Sequence, residues 1–368
     1  MGLYSHLKGK KVLVAMSGGV DSSMVAIMLK MDSVDVIGIT MKLGDTKIRL
    51  GNAMDSSCCT LDDINDARAI ATKYDFPHYV IDLKADFESN VIDNFVNKTL
   101  EGLTPNPCIV CNKTVKWGSL LKYVDGMGCD YLATGHYARI LNKDGRYFLS
   151  RPRDLTKDQT YFLWALSQSD LSRTIFPLGN YLKLDVKSMA MDLGFDVFKD
   201  KGESFDICFV GDASYKDFML TKYPDLKNLD GGDIVLSDGT VVGKHTGYPF
   251  YTVGQRKGLG ISLGNPVYVT SIDAVNNRLV VGPIDDLKTT TTVIDGINLM
   301  KYDHIPVDKD FTVKVRSMDK GTTARLSLDG DKVNISFLGD VKGGVTAGQS
   351  AVIYDGDDVV GAGFIRKK

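Results

Sequence analysis

The sequence predicts an α/β protein that begins with a doubly wound parallel sheet and continues into a small mixed central domain and a C-terminal β-barrel. In its first 222 residues, short β-branched apolar runs alternate with helical patterns, as in βαβ units. After about Tyr223, short strand patterns are separated by glycine-rich turns. A chain of 368 residues is also too long for one compact core. We therefore expect domains at residues 1–222, 223–285 and 286–368.

The composition narrows the class of protein. No apolar run is long enough to span a membrane, and the first residues, MGLYSHLKGKK, lack the apolar segment of a secretory signal. A cytoplasmic protein is therefore expected. The formal net charge of −2 gives no overall signal for nucleic acid, so any polyanion site must be a local basic patch. Six cysteines in a reducing compartment are more often catalytic or metal-binding than structural.

Residues 10–30 predict a phosphate-binding turn, around which the other motifs are arranged. Residues 12–15 have the pattern of a buried strand, and residues 24–29 that of a helix. Between them, SGGVDSS supplies two glycines that let the backbone approach a ligand, and three hydroxyl donors. The N-terminus of the helix favours an anion there. It is not a Walker A loop, because no Gly-Lys-[Ser/Thr] follows. An ordinary strand-to-helix turn is the alternative.

The next elements continue the α/β pattern. Further strands are predicted at residues 34–40, 78–82 and 131–134, and further helices at 87–100, 160–169 and 185–194. Another helix should begin at Thr60 with a weak capping box to Asp63. One apolar face is predicted for that helix, made of Leu61, Ile64, Ala67, Ile70 and Ala71. Towards the C-terminus, turn dipeptides at 276–277, 329–330 and 355–356 predict hairpins.

Residues 104–113, TPNPCIVCNK, contain a Cys-x-x-Cys pair. The two prolines predict an extended, rigid loop rather than the start of a helix. Cys108 and Cys111 follow, and Asn112 and Lys113 supply donors and a positive charge that would favour a thiolate. Half of a zinc site is the alternative, which we do not favour because no second pair of ligands appears.

The other cysteines are less informative by themselves. Cys208 lies in ESFDICF, where a cysteine alone is best explained as a small buried residue. Cys58, Cys59 and Cys129 are expected in the core. Spacing alone therefore assigns no chemistry to these four residues.

The turn at residues 17–23 resembles the PP-loop of the ATP pyrophosphatases, which have an adenine nucleotide alpha hydrolase-like fold. These enzymes split ATP between the α- and β-phosphates to adenylate a substrate. The resemblance implies that ATP is bound by Ala15, Met16, Ser17, Gly18, Gly19, Val20, Asp21, Ser22, Met41 and Gly135. It also implies that Asp21 contacts magnesium through the bound nucleotide.

Several motifs together are similar to the tRNA-specific 2-thiouridylase family over nearly the whole chain. They are SGGVDSS, CCTLDDINDAR, TPNPCIVCNKTVKWG, LATGHYAR, KDQTYFL, ESFDICFVG and GYPFYTVGQRKGLGI. The resemblance implies ATP-dependent adenylation of the wobble uridine of tRNA, then transfer of persulfide sulfur to its C2 atom. Cys111 would be the nucleophile and Cys208 the persulfide carrier. Many members have Asp where this chain has Cys108, so no carboxylate role can be assigned to that position.

The same resemblance implies the contacts and partners. Contacts to tRNA are expected from Asn106, Pro107, Cys108, His136, Lys157, Asp158, Gln159, Arg316, Ser317 and Gln349. Charge alone adds Lys183, Lys187, Arg256 and Lys257 as candidate phosphate contacts. A packing histidine and a solvated strand face are the alternatives for His136 and Arg316. The expected partners of a monomer are the tRNAs for Lys, Glu and Gln and a cysteine desulfurase, acting directly or through a relay protein.

Two other functions would use parts of the same chain. A small-molecule adenylating ligase, like argininosuccinate or GMP synthetase, would leave Cys111, Cys208 and the β-rich half without a role. A non-catalytic nucleic-acid-binding or sulfur-relay protein would leave the phosphate loop without one. An iron–sulfur cluster on Cys108, Cys111 and Cys208 is a rival use of the thiols that we do not favour.

Overall fold

The computed structural model describes residues 4–44, 60–195, 207–210, 214–306 and 308–367. The chain divides into two compact units. The first contains residues 1–91, 108–212 and 357–359, and the second contains residues 92–107, 213–356 and 360–368. Within the described ranges, no helix combines the length and apolar character needed to cross a membrane. Domain boundaries at residues 222 and 285 stay a prediction.

The first unit is built on a parallel sheet. The described strands of this unit are β1 (Lys11–Ala15), β2 (Asp35–Lys42), β3 (His78–Asp82), β4 (Tyr131–Ala133), β5 (Arg139–Lys143), β6 (Arg146–Ser150) and β7 (Thr174–Ile175). Strands β5 and β6 form an antiparallel hairpin. The parallel strands lie in the order β3-β2-β1-β4-β7. In the central register, Val14 pairs with Gly38 on one side and Ala133 on the other. This arrangement confirms the predicted α/β fold and brings the ends of β1, β2 and β4 to one edge of the sheet.

Helices surround this sheet and also begin the second unit. The described α-helices are α1 (Val20–Met31), α2 (Leu61–Lys73), α3 (Lys84–Phe87), α4 (Asp93–Leu100), α5 (Pro107–Cys111), α6 (Leu120–Gly126), α7 (Thr160–Leu163), α8 (Gln168–Ser172), α9 (Lys183–Asp192) and α10 (Tyr215–Lys222). Two π-helical segments, Glu88–Ile92 and Asn112–Trp117, follow α3 and α5. In the core of the first unit, Val12 and Val14 of β1 and Ile27 and Leu29 of α1 are fully buried.

The predicted capping box at the start of α2 is confirmed. The Thr60 hydroxyl accepts a hydrogen bond from the Asp63 amide at 3.2 Å, and the Asp63 carboxylate accepts one from the Thr60 amide at 3.0 Å. The apolar face is confirmed for four of its five residues. Leu61 is the exception, since it is 38% exposed in the first turn of the helix.

Three helix predictions differ from the structure. The helix predicted at residues 87–100 is interrupted by the π-helical segment Glu88–Ile92, and the one predicted at 160–169 is two short helices. The extended loop predicted for TPNPC is wrong at its end, because α5 begins at Pro107. Proline suits this position, since the first helical residue needs no amide donor and its φ is already helical.

The second unit contains a four-stranded mixed sheet and an antiparallel barrel. The sheet has the order β10-β11-β8-β9, with β8 (Gly232–Val235), β9 (Val241–His245), β10 (Tyr268–Asp273) and β11 (Arg278–Gly282). The barrel contains β12 (Thr291–Leu299), β13 (Phe311–Lys314), β14 (Thr322–Asp329), β15 (Lys332–Phe337), β16 (Ser350–Asp355) and β17 (Asp358–Ile365). Pairing of β12 with both β15 and β17 closes it.

The three turns predicted in the β-rich region all join neighbouring strands. Asn277, Gly330 and Gly356 have positive φ angles of 51°, 61° and 62° in the hairpins β10–β11, β14–β15 and β16–β17. Asparagine and glycine tolerate this left-handed conformation better than other residues. The predicted mixed central region and C-terminal barrel are therefore confirmed.

Candidate active site

The phosphate loop joins β1 to α1, and the Ser22 side chain stabilises it by hydrogen bonds to the loop backbone. The Ser22 hydroxyl accepts a hydrogen bond from the Ser17 amide at 3.0 Å and donates one to the Gly19 carbonyl at 3.1 Å. Gly18 has φ of +71°, and a Cβ added there would lie 2.3 Å from the Asp63 carbonyl oxygen. Gly18 is therefore required by both backbone conformation and close packing against α2. The loop is a preformed turn at the N-terminus of a twelve-residue helix.

Asp21 lies in the first turn of α1 and faces a lysine from far along the chain. Both carboxylate oxygens of Asp21 lie 2.6 Å from the Lys183 ammonium, and the Tyr137 hydroxyl donates to one of them at 3.0 Å. The Lys183 side chain is 8% exposed and that of Asp21 is 31% exposed. Carboxylate oxygens are the ligands that magnesium prefers, and this carboxylate is accessible and already pairs with a cation. Asp21 is therefore of the right chemical type for a magnesium ligand, and its magnesium role stays a prediction.

The loop after β4, residues 134–137, contacts the phosphate loop. A Cβ on Gly135 would lie 2.9 Å from the Ser22 amide and 3.0 Å from the Asp21 Cβ, so this position requires close backbone approach. The neighbouring Tyr137 is fixed by Gln159, whose side-chain oxygen accepts from the Tyr137 amide at 2.8 Å. Two predicted nucleotide positions, Asp21 and Gly135, are thus adjacent.

Three thiols lie close enough to influence one another electrostatically. Cys111 is buried at the end of α5, Cys108 is exposed one turn earlier, and Cys208 is half-buried in the segment 207–210. Burial raises the pKa of Cys111 to about 12; Lys116 opposes this rise, and Cys208 and Cys108 add to it. Although the Cys108 side chain reaches solvent, the protein atoms around its sulfur and the nearby Cys208 also raise its pKa. Cys111 and Cys208 are therefore within electrostatic range of each other, and their catalytic roles stay predictions.

Lys116, which the sequence analysis did not identify, belongs to the same group. The predicted cation was Lys113, but this residue is solvent-exposed. The cation that lowers the pKa of Cys111 is Lys116, on the π-helical segment that follows α5. Its ammonium lies 3.4 Å from Nε2 of His136, in the loop after β4. Loop 134–137 therefore contacts both the phosphate loop and Lys116, the cation that acts on Cys111.

The remaining nucleotide candidates lie around the same strand ends. Ala15 ends β1, and Met41 is the second-last residue of β2, half-buried. The Met16 side chain is buried in the core of the first unit. Any contact that Met16 makes with a nucleotide must therefore come from its backbone. The half-buried Lys187 lies on α9, one turn beyond Lys183.

Several candidate tRNA contacts in the first unit already make internal hydrogen bonds. Asp158 accepts from the Thr160 amide at 2.9 Å and lies 3.5 Å from Arg151. Gln159 is bound to Tyr137, and Lys157 ends a short 3-10 helix beside them. These residues position the loop after β4, and their contacts to tRNA stay predictions.

The second unit holds the other candidates. The Arg316 guanidinium donates to the Gly343 carbonyl at 2.5 Å and to the Thr346 hydroxyl at 3.1 Å, so the solvated strand face considered for Arg316 is wrong. The Gln349 side chain donates to the Thr104 carbonyl at 2.8 Å. Ser317 and Asn106 are half-buried and Pro107 is buried, whereas Arg256 and Lys257 are exposed.

Two further cysteine predictions lie partly outside the described structure. Cys58 and Cys59 fall in residues 45–59, and the ESFD part of the Cys208 motif falls in residues 196–206; neither range is described. Cys129 is buried, as predicted. Among the residues that the structure does describe, no group of three or more His, Cys, Asp or Glu side chains is arranged to hold a metal ion.

A parallel sheet with this serine- and glycine-rich loop between β1 and α1 defines a PP-loop nucleotide-binding domain of the ATP pyrophosphatase type. Domain families match the chain in three parts: a tRNA methyl transferase HUP domain at residues 10–212, a tRNA methyl transferase PRC-barrel domain at 217–283, and an aminomethyltransferase β-barrel domain at 291–365. The chain belongs to the tRNA-specific 2-thiouridylase family.

The similarity to individual relatives extends over nearly the whole chain. The tRNA-specific 2-thiouridylase MnmA of Cytophaga hutchinsonii is 46% identical over 98% of each chain. That of Amoebophilus asiaticus is 46% identical over 98% of this chain and 96% of the relative. That of Clostridium perfringens is 42% identical over 97% of this chain and 98% of the relative.

Proposed function

We propose that this protein is a tRNA-uridine 2-sulfurtransferase that adenylates the wobble uridine with ATP and replaces its O2 with persulfide sulfur. The single observation that carries the proposal is the loop at residues 134–137. Through Gly135 and Tyr137 this loop contacts the phosphate loop, and through His136 it contacts Lys116 beside Cys111. An enzyme that couples ATP cleavage to sulfur transfer needs both groups at one substrate base.

The adenylation half uses the loop at the start of α1. The α1 amides and the Ser17 hydroxyl bind the departing pyrophosphate, because a helix N-terminus stabilises negative charge. Asp21 would hold magnesium, which supplies charge neutralisation at the phosphates when bound. A uracil oxygen is a poor leaving group, and attack of O2 on the α-phosphate converts it to one that departs with AMP.

The sulfur half uses Cys208 and Cys111. Cys208 carries the sulfur as a persulfide, and either its terminal sulfur attacks C2 or Cys111 releases it as hydrosulfide, which then attacks. In both routes AMP leaves when sulfur adds to C2, and attack of Cys111 on the Cys208 sulfur leaves a Cys111–Cys208 disulfide. Two cellular thiol groups supply the two electrons that reduce this disulfide before the next cycle, and they become a disulfide themselves. The wobble base lies in a single-stranded loop, so extruding it costs little.

The partners follow from this chemistry. The substrates are tRNAs, with those for Lys, Glu and Gln expected, and a cysteine desulfurase or a relay protein loads Cys208. A transient catalytic disulfide fits a reducing cytoplasm. The candidate tRNA contacts and the three domain boundaries belong to the same proposal.

The test is to measure pyrophosphate, AMP and 2-thiouridine in the wild type and in Cys111→Ser and Cys208→Ser. We expect wild-type AMP and pyrophosphate only when tRNA is added. Both variants should keep tRNA-dependent pyrophosphate release and lose 2-thiouridine, because only the sulfur step needs the thiols. Cys129→Ser is the control, since Cys129 is a buried cysteine that does not belong to the group of Cys108, Cys111 and Cys208. Pyrophosphate release without tRNA, or normal 2-thiouridine from either variant, would contradict the proposal.

A further inference from the structure

The π-helical turn after Cys111 determines which lysine can reach this cysteine. In an α-helix, a side chain five positions after Cys111 would point about 140° away around the axis. In a π-helix, the hydrogen bonds join residues five apart, so the fifth residue lies above the first. The turn at Asn112–Trp117 has this form, and the Gly118 amide donates to the Lys113 carbonyl at 3.1 Å. Lys116 therefore comes to the side of the helix that carries Cys111.

A neutral histidine holds Lys116 in this place. An ammonium group can only donate, so Nε2 of His136 accepts the 3.4 Å hydrogen bond from Lys116. The His136 Nδ1–H then donates to the Thr134 hydroxyl at 2.7 Å. Burial and the Lys116 charge hold the pKa of His136 well below its usual range, so the ring stays neutral. A neutral partner orients the ammonium without cancelling its charge.

The histidine ring is itself fixed by aromatic neighbours. Its centroid lies 5.8 Å from the Trp117 ring and 5.9 Å from the Phe176 ring. Trp117 is anchored by its indole N–H, which donates to the Thr174 hydroxyl at 2.7 Å. The loop after β4, through Thr134, and strand β7, through Thr174, therefore set the position of Lys116.

Cys111 needs such a cation because burial keeps its sulfur protonated. Within the described ranges, the ionisable groups that act on Cys111 are Lys116, Cys208 and Cys108, and Lys116 alone of these three favours the thiolate. We propose that Lys116 is a positioning residue that stabilises the thiolate of Cys111 for its attack on the Cys208 sulfur. This inference rests on the proposed function.

The step balances without another reactant. As the Cys111 sulfur bonds to the Cys208 sulfur, the bond from Cys208 to the outer persulfide sulfur breaks. That sulfur leaves with the electron pair and takes up the proton lost by Cys111. The thiolate forms only transiently, so a nearby fixed charge acts where negative charge develops.

The test compares Lys116→Met with Lys113→Met, an exposed lysine on the same π-helical segment. Alkylation of Cys111 is followed by peptide mass spectrometry across pH values below its pKa, where each pKa unit changes the thiolate fraction about tenfold. Higher thiolate nucleophilicity offsets part of this loss. We expect Lys116→Met to react roughly threefold to tenfold more slowly at each pH, and Lys113→Met to match the wild type.

Single-turnover sulfur transfer provides the second readout. Lys116→Met should be slower by a similar factor, raising the pH should restore its rate, and Lys116→Arg should retain most of it. Release of pyrophosphate with tRNA should stay within about twofold of wild type in all three variants. Identical alkylation profiles for Lys116→Met and wild type would overturn the role of Lys116. Absence of tRNA thiolation by the wild type would instead contradict the proposed function, and the alkylation result would still stand.

Discussion

At the scale of single residues, the phosphate loop already has a cation of its own. Lys183 is almost completely buried and faces both oxygens of Asp21 at 2.6 Å. Sequence analysis identified Lys183 only by its charge, as a candidate phosphate contact. Asp21 therefore compensates the charge of Lys183, in addition to the nucleotide and magnesium role that we propose for it.

Replacing Asp21 tests these two tasks separately. Asp21→Asn should stop pyrophosphate release, because a neutral amide holds magnesium poorly. It should also lower the free energy of unfolding by about 1–3 kcal/mol, because the charge facing Lys183 is removed. Chemical denaturation measures this loss. In the double variant Asp21→Asn/Lys183→Met, stability should recover while pyrophosphate release stays absent. Wild-type release by Asp21→Asn at saturating magnesium would show that the carboxylate is not needed.

Burial lowers the pKa of His78, the first residue of β3. Its Nε2 lies 2.8 Å from the Thr40 hydroxyl, which donates to the Met16 carbonyl, so Nε2 carries the hydrogen. The buried Nδ1 has no hydrogen-bond partner among the described residues. Protonation would add a donor without an acceptor. Burial, assisted by the charge of Arg68, accordingly lowers the pKa of His78 to about 4.

Stability should therefore fall in mild acid. Between about pH 6.5 and pH 4 the unfolded chain binds a proton at His78 and the folded chain does not, so the free energy of unfolding falls as pH falls. The loss from this residue is at most about 3 kcal/mol. His136 and His245, whose pKa values are also lowered, add to it. Chemical denaturation between pH 6.5 and pH 4 should show a smaller loss of stability for His78→Gln than for the wild type. His6→Gln, which replaces an exposed histidine, should match the wild type. Equal losses of stability in the two variants and the wild type would show that His78 does not contribute.

At the scale of elements, the connections after strands set the geometry of the site. The β1–α1 turn depends on contact between Gly18 and the first turn of α2, and the loop after β4 depends on contact between Gly135 and α1. Capping of α2 by Thr60 and Asp63 fixes the residue that Gly18 approaches. A change in the first turn of α2 should therefore alter the conformation of the phosphate loop.

Gly18→Ala tests this contact. An added methyl group would lie 2.3 Å from the Asp63 carbonyl oxygen on a backbone with φ of +71°, so the loop must move away from α2. We expect ATP binding, measured by calorimetry, to weaken at least tenfold, or roughly 1.4 kcal/mol. Gly126→Ala is the matched control, since its Cβ would meet open space in α6. Unchanged ATP affinity in Gly18→Ala would show that the loop tolerates displacement.

At the scale of the whole molecule, electrostatic attraction of tRNA has to come from a few basic side chains at particular positions, because the net charge is −2. Arg256 and Lys257 are exposed in the second unit, whereas Arg316 is hydrogen-bonded to the Gly343 carbonyl. Removing Arg316 should therefore reduce stability as well as any contact to tRNA. The exposed pair is the better test of an electrostatic contact.

A salt series on the full-length protein measures this contribution. Arg256→Ala and Lys257→Ala should each lower the slope of log affinity against log salt by roughly 0.7 to 0.9, the effect of one lost phosphate contact. Lys122→Ala, which removes an exposed lysine from α6, should leave the slope unchanged. Filter binding with tRNA gives the slopes. If all three slopes equal that of the wild type, Arg256 and Lys257 do not contact phosphate.

The sequence by itself determined the features that local patterns encode. Alternating strand and helix patterns predicted the parallel sheet, Thr60 and Asp63 predicted a cap, and turn dipeptides predicted three hairpins. These succeed because strand burial, capping and positive φ depend on residues a few positions apart. The motifs around Gly18 and Cys111 likewise identified the family before any contact was known.

Only the tertiary structure decided which charges face which groups. Asp21 and Lys183 are 162 positions apart, and Gln349 and Thr104 are 245 apart, so no local pattern links either pair. The sequence favoured Lys113 beside the thiols, because it lies two positions after Cys111, but the π-helical turn brings Lys116 there instead. A π-helical turn depends on packing of its neighbours rather than on residue preference. The electrostatics of the site is therefore a property of the fold.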